Sequence, residues 1–153
     1  MDCSGGHSNG EVILVSACLL GLPTRYDGGH CRSAEVVALV GRHRLVPVCP
    51  EQLGGLSTPR PPSEMERGHG SDVLDGRVRV LSTEGTNVTD NFVRGARAAA
   101  EIAETCGATR AILKEGSPSC GVSRIMRAEQ AVEGEGVAAA LLRRKGLKVD
   151  GIA

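Results

Sequence analysis

Three of the six cysteines stand where chemistry would use them. Cys18 follows the apolar run "EVILVSA", Cys49 follows "RLVPV", and Cys120 sits in "GSPSCG" a few residues past "ATRAIL". Each run is short, rich in branched side chains and bounded by turn residues, the pattern of a strand buried on both faces. In open α/β sheets the ligand crevice lies just outside the carboxyl ends of the strands, so residues distant in sequence can converge there. Three converging thiolates are soft donors suited to copper or to an iron–sulfur cluster. Structural zinc takes its ligands as closely spaced pairs, and the chain has neither Cys-x-x-Cys nor His-x-x-x-His. A cluster held by three cysteines leaves one iron with an open position, able to act as a Lewis acid toward a substrate. The same spacing is also met by three separate structural thiols, since free Cys packs as a small hydrophobe. Cys3, Cys31 and Cys106 fall at no strand end.

The elements that must position these groups read as follows. After the first strand and a glycine-rich loop, Ser33 is a candidate cap for a three-turn helix over "SAEVVALVGRH". "RLVPV" is the second strand, and residues 49–70, dense in Pro and Gly, read as one long loop. "VLDGRVRV" alternates around Asp75-Gly76, a hairpin signal. "NVTDNFVRGARAAAEIAETCG" is the longest helix, capped by Asn87 or Thr89 and stopped at Gly107. "ATRAIL" is a third strand, "VSRIM" has no clear type, "VAAALLRRKG" is a helix and "LKVDGI" a closing strand. Strands alternating with helices predict an α/β fold in three layers, with a mainly parallel sheet, helices on both faces and a small β-hairpin insertion.

Composition narrows the function. At 153 residues the chain fits one domain, taken as 11–153 behind a flexible tail over 1–10, and it buries enough surface to fold without disulfides. Eighteen basic residues balance eighteen acidic ones, so no global field steers it onto nucleic acid or an anionic membrane. Tyr26 and Phe92 are the only aromatics, too few for a stacking platform on single strands. No run approaches the roughly 20 apolar residues of a membrane span, and the glycine-rich start is unlike a signal peptide. The expected setting is cytoplasmic, where thiols stay reduced, and the expected assembly is a monomer or small homo-oligomer.

The segments "VSACLLGLPTRYDGG", "VPVCPEQLGGLSTPRPPSEM", "AILKEGSPSCG" and "GEGVAAALLRRKGLKV" resemble, in order and spacing, the motifs of the thiouracil desulfidase (TudS) family, formerly a domain of unknown function. The resemblance runs over about residues 12–152. It implies a small α/β domain holding a [4Fe-4S] cluster through Cys18, Cys49 and Cys120, with the fourth iron open to the sulfur of a thiolated pyrimidine such as 2-thiouracil. Sulfur would leave as hydrosulfide and water would supply the replacing oxygen, without net redox change.

Such a displacement needs a soft acid for sulfur, a base for water and donors for charge developing on the ring. The family pattern implies Glu51 and Ser117 as the catalytic pair. Tyr26, Asp27, Arg60 and Ser119 are the expected substrate contacts, Tyr26 by stacking and Ser119 by its hydroxyl. Against these stand plainer roles: Glu51 bonded to a loop amide, the serines as turn residues, and Arg60 paired with Glu64 at the rim. After "SPSCG" the chain departs from the aromatic, glycine-containing segment common in the family, so its pocket should differ on that side. Two other functions share the cluster: a non-catalytic sensor or carrier, and an enzyme acting on thiolated tRNA bases.

Overall fold

The apolar runs that read as buried strands form one four-stranded sheet, described with the rest of residues 10–153 by a computed structural model. The tail expected over 1–10 lies, apart from Gly10, outside the described residues. Strands β1 (Val12–Ser16), β2 (Arg44–Val48), β5 (Arg110–Lys114) and β8 (Lys148–Ile152) run parallel in the order β2-β1-β5-β8. Side chains alternate along the strands. Leu14, Ala111 and Leu113 therefore face one side, against α4 (Thr89–Cys106) and α5 (Val137–Arg144). Ile13, Val15 and Ile112 face the other, against Leu19 of a 3-10 turn (Ala17–Leu20) and Val36 of the single-turn helix α1 (Ala34–Val37).

The strand order explains this division. The chain moves from β1 to β2 on one side, then crosses back over β1 to β5 and on to β8. Right-handed crossovers made in opposite directions put their helices on opposite faces, so α1 covers one face and α4 with α5 the other. The direction of winding reverses between β1 and β5, and a ligand crevice opens at such a switch point.

Two antiparallel pairs complete the structure: β3 (Ser63–Met65) with β4 (Val80–Ser82), and β6 (Arg124–Arg127) with β7 (Gln130–Glu133). Met65, Val80 and Ile125 from these pairs close over Phe92, Ala96 and Val137 of α4 and α5 in a second apolar cluster. No described helix is long and apolar enough to cross a membrane.

Three local expectations are corrected. The helix after Ser33 is one turn long, not three: the Ser33 Oγ accepts from Val36 N at 3.3 Å, but the chain turns at Gly41 before further turns can form. Asp75-Gly76 closes no hairpin. It ends helix α3 (Gly70–Leu74), whose first turn is tied by His69 N donating to Asp72 Oδ2 at 3.0 Å, and β4 pairs with β3 instead. The supposed loop over 49–70 contains helix α2 (Pro50–Leu53) as well as β3.

Candidate metal centre and active site

Sheet register gathers the cysteines. Ser16 pairs with Val48, and Val15 with Ile112, so β1, β2 and β5 end at the same edge. Cys18 lies two residues past β1, in the 3-10 turn; Cys49 lies one past β2, at the N-cap of α2; Cys120 lies in the loop after β5. All three line one cavity of about 580 Å³, together with Glu51, Ser117 and Ser119.

Two close backbone approaches fix the sides of this cleft. A Cβ on Gly95, in the middle of α4, would stand 1.9 Å from the Pro50 carbonyl oxygen, so its absence lets α2, with Glu51, sit directly on the long helix. A Cβ on Gly136 would stand 2.4 Å from the Ser119 carbonyl carbon and 2.8 Å from Cys120 N. Through this gap the first turn of α5 reaches the cysteine loop. Its otherwise unpaired amides donate there, Val137 N to Pro118 O and Ala138 N to Ser119 O, each at 2.9 Å. Glycine inside or beside a helix costs backbone entropy; here it permits the contacts that place both halves of the site.

Burial governs the thiols. It pushes Cys18 up to about 11; neighbouring Cys31 and Cys49 add to the rise, while Arg25 and Lys114 oppose it. Cys120, 5% exposed, is pushed by burial to about 12, against the neighbouring Ser16 and Ser119 hydroxyls. Both are neutral thiols until a cationic centre draws off their protons. Among the described residues no three His, Cys, Asp or Glu side chains are grouped so as to hold a single metal ion. Three thiols lining one cavity are a soft donor set of the kind that holds iron–sulfur clusters. Arg25, Arg60 and Lys114 around the same cavity would offset the negative charge of such a centre. The donor set fits an iron–sulfur cluster.

Beside the thiols runs a line of acid–base groups. Ser119 Oγ donates to Glu51 Oε2 at 3.0 Å, and the Ser117 and Ser119 hydroxyls are 3.0 Å apart. A hydroxyl has one proton; Ser119 gives its own to the carboxylate, so Ser117 is the donor to Ser119. The Ser117 oxygen accepts from Ser119 N and Cys120 N, both at 3.1 Å. The order is therefore Ser117, Ser119, Glu51, with Ser117 pinned by two amides.

Arg60 holds the far end. Its side chain is 5% exposed. Nε donates to Glu51 Oε1 at 2.9 Å, Nη1 to Ser57 O at 3.1 Å and Thr58 Oγ1 at 2.8 Å, and Nη2 to Thr24 O at 3.0 Å, with Cys49 Sγ 3.9 Å away. The expected Arg60–Glu64 pair is absent; Glu64 Oε2 instead accepts from Ala128 N at 2.8 Å.

The expected site residues are thus divided. Cys18, Cys49, Cys120, Glu51, Ser117, Ser119 and Arg60 come together, with Tyr26 at the mouth under the Arg25 guanidinium, 5.6 Å from its ring centroid. Ser119 and Arg60, expected to meet substrate, direct their hydrogen bonds to protein groups. Asp27 is not brought in: it lies outside the cavity lining, exposed, its Oδ1 accepting from Gly29 N at 2.9 Å. Sequence reasoning missed Glu115. Its Oε1 accepts from Val122, Ser123 and Arg124 amides at 2.8, 3.0 and 3.1 Å, fastening the turn after Cys120. An acid directly before "GSPSCG", within reach of the amides that follow it, was the available signal.

Fold and site define an α/β protein with a thiol-lined cleft and a carboxylate–hydroxyl line beside it. The chain belongs to the 2-thiouracil desulfurase family, whose model matches residues 13–151. It is 42% identical over 141 residues to the "Uncharacterized protein YbbK" of Bacillus subtilis (strain 168), covering 90% of this chain and 93% of that protein. Among solved structures, the [4Fe-4S]-dependent thiouracil desulfidase TudS aligns with a TM-score of 0.80 at 43% identity, covering 92% of this chain and 90% of that one.

Proposed function

We propose that this chain removes sulfur from a thiolated pyrimidine such as 2-thiouracil, with Cys18, Cys49 and Cys120 holding a [4Fe-4S] cluster. The carrying observation is the Ser117–Ser119–Glu51 line set beside three thiols in one cavity. When bound by three thiolates, such a cluster supplies an iron short of one ligand, a Lewis acid for the substrate's sulfur. The reaction balances without electron transfer: water oxygen replaces sulfur on the ring carbon, sulfur leaves as hydrosulfide, and one proton is released.

That proton is the task of the chain's own groups. Glu51 is the terminal acceptor, its Oε1 bonded by the Arg60 guanidinium at 2.9 Å. Ser117, at the other end of the line, passes a proton from the attacking water through Ser119 to Glu51. The two amides on the Ser117 oxygen stabilise the negative charge it carries as its proton leaves. Tyr26 at the mouth supports a ring-stacking contact.

Iron and sulfide content after anaerobic reconstitution, followed by hydrosulfide release from 2-thiouracil, tests the assignment. The native chain should hold about four irons, and Cys18→Ser, Cys49→Ser and Cys120→Ser should each lose them. Glu51→Gln should keep its iron while turnover falls by about a hundredfold or more. A Glu51→Gln variant with unchanged turnover removes Glu51 from the mechanism; a native chain that takes up no iron defeats the reading.

A further inference from the structure

We propose that Met126 is a specificity-determining wall of the cleft, its thioether packing against a face of the substrate's pyrimidine ring. The identity of that ring rests on the desulfidase reading above. Five large apolar side chains are exposed among the described residues, and two of them, Tyr26 at 39% and Met126 at 38%, open onto the cleft. Met126 belongs to none of the three apolar clusters. Strand alternation explains its direction: Ile125, its neighbour on β6, is fully buried in the core, so Met126 must point the opposite way. That way lies the cavity.

The hairpin is built to keep it there. Gly116 N donates to Arg124 O at 2.9 Å and Gly116 bridges Ile125, tying the start of β6 to the loop that carries Ser117. Arg127 donates to the carbonyls of Met65 and Gly68, and Ala128 N donates to Glu64 Oε2 at 2.8 Å, tying the other end to β3. Met126 is thus held between the Ser117 loop and the Glu64 strand, both of which line the cavity. The turn that closes the hairpin uses two non-glycine residues at positive φ, Ala128 at 53° and Glu129 at 63°. Positive φ at both positions is what a two-residue hairpin loop requires, so the turn itself fixes where β6 ends. A flexible, polarizable thioether left in water on a pinned strand is suited to cover an apolar ring face, and a pyrimidine has two such faces.

The test is uracil, the reaction product, titrated calorimetrically into the anaerobically prepared holoprotein. Uracil carries no sulfur, so its binding reports the walls of the cleft. Met126→Ala should weaken the uracil Kd about five- to tenfold, with iron content unchanged. The same variant should lower the preference for 2-thiouracil over the bulkier 6-propyl-2-thiouracil in kcat/KM by about tenfold. Met126→Leu, which keeps the bulk, should restore most of the affinity. A native protein that binds uracil more tightly than Met126→Ala yet releases no hydrosulfide supports Met126 as a base-binding wall while defeating the desulfidase reading. Equal uracil binding by native and Met126→Ala proteins of equal iron content overturns the proposal, and so does a native holoprotein that binds no uracil.

Discussion

The floor and the rim of the cleft are built on opposite principles. On the floor, Arg60, Glu51, Ser119 and Ser117 use nearly every polar atom on one another or on backbone, and Cys18 and Cys120 lie in the core. At the rim, Tyr26 and Met126 stand in water, and the hairpin turn holds Ala128 and Glu129 at positive φ. Buried polar networks rigidify a site when every member is satisfied. The floor therefore has the character of a fixed frame for a cofactor and a proton path. The rim has room to be altered without disturbing that frame, which is what a specificity surface requires.

Removing Arg60 should break the contrast most severely. Arg60→Ala leaves the Glu51 carboxylate, 13% exposed, without its countercharge, and leaves the Thr24 and Ser57 carbonyls without their donor. Deleting one partner of a buried pair costs about 3–5 kcal/mol, to be read from urea unfolding. A loss below about 1 kcal/mol would mean that the floor is no more rigid than the rim.

A smaller effect is set by pH. In protein prepared without iron, Cys120 is held up to about 12 and Cys18 up to about 11 from an ordinary value of 9.0. The unfolded chain therefore sheds these protons first as pH rises. The stability contributed by the neutral buried thiols is complete below pH 9 and declines from there toward pH 11–12. Between pH 8 and 10 each thiol accounts for roughly 1–2 kcal/mol. Cys120→Ala should lose roughly 1–2 kcal/mol less than the native chain over that range, measured by chemical denaturation at both pH values. Equal losses would show that Cys120 is less sealed than the floor geometry implies.

The floor was more legible than the rim, for a physical reason. Cys18, Cys49 and Cys120 follow apolar runs, and parallel register converts strand ends into a shared edge; this step needs only hydrophobic pattern and topology. The hydrogen-bond order on that floor was not legible. Ser119 stands between Ser117 and Glu51 because α5 docks through Gly136 and shapes the loop, a packing event without local signature. Arg60 was expected beside Glu64, its near neighbour in sequence; the short helix after Cys49 brings Glu51 to it instead. Asp75-Gly76 carries a hairpin signal but ends α3, because Val73 is drawn into the core under Phe92 and Val137. Met126 lay in "VSRIM", a stretch too short for its period to be read. Its direction follows only once Ile125 is known to be buried.

The smallest expected effect bears on the rim alone. Ala128 and Glu129 occupy the left-handed region, where an L side chain costs roughly 1–2 kcal/mol and glycine costs nothing sterically. Glycine, however, gives the unfolded chain more freedom, which returns part of that gain. Ala128→Gly should therefore stabilise the protein by about 0.5–1 kcal/mol, since the Ala128 amide keeps its bond to Glu64 and no side-chain contact of the floor is touched. Thermal unfolding of the holoprotein would register a small rise in Tm. A fall in Tm would show the turn to be relaxed, and the hairpin would then belong with the floor as a settled part of the frame. A rise would mean that this turn holds strain which a single glycine relieves, in the one part of the cleft where shape, rather than stability, decides what enters.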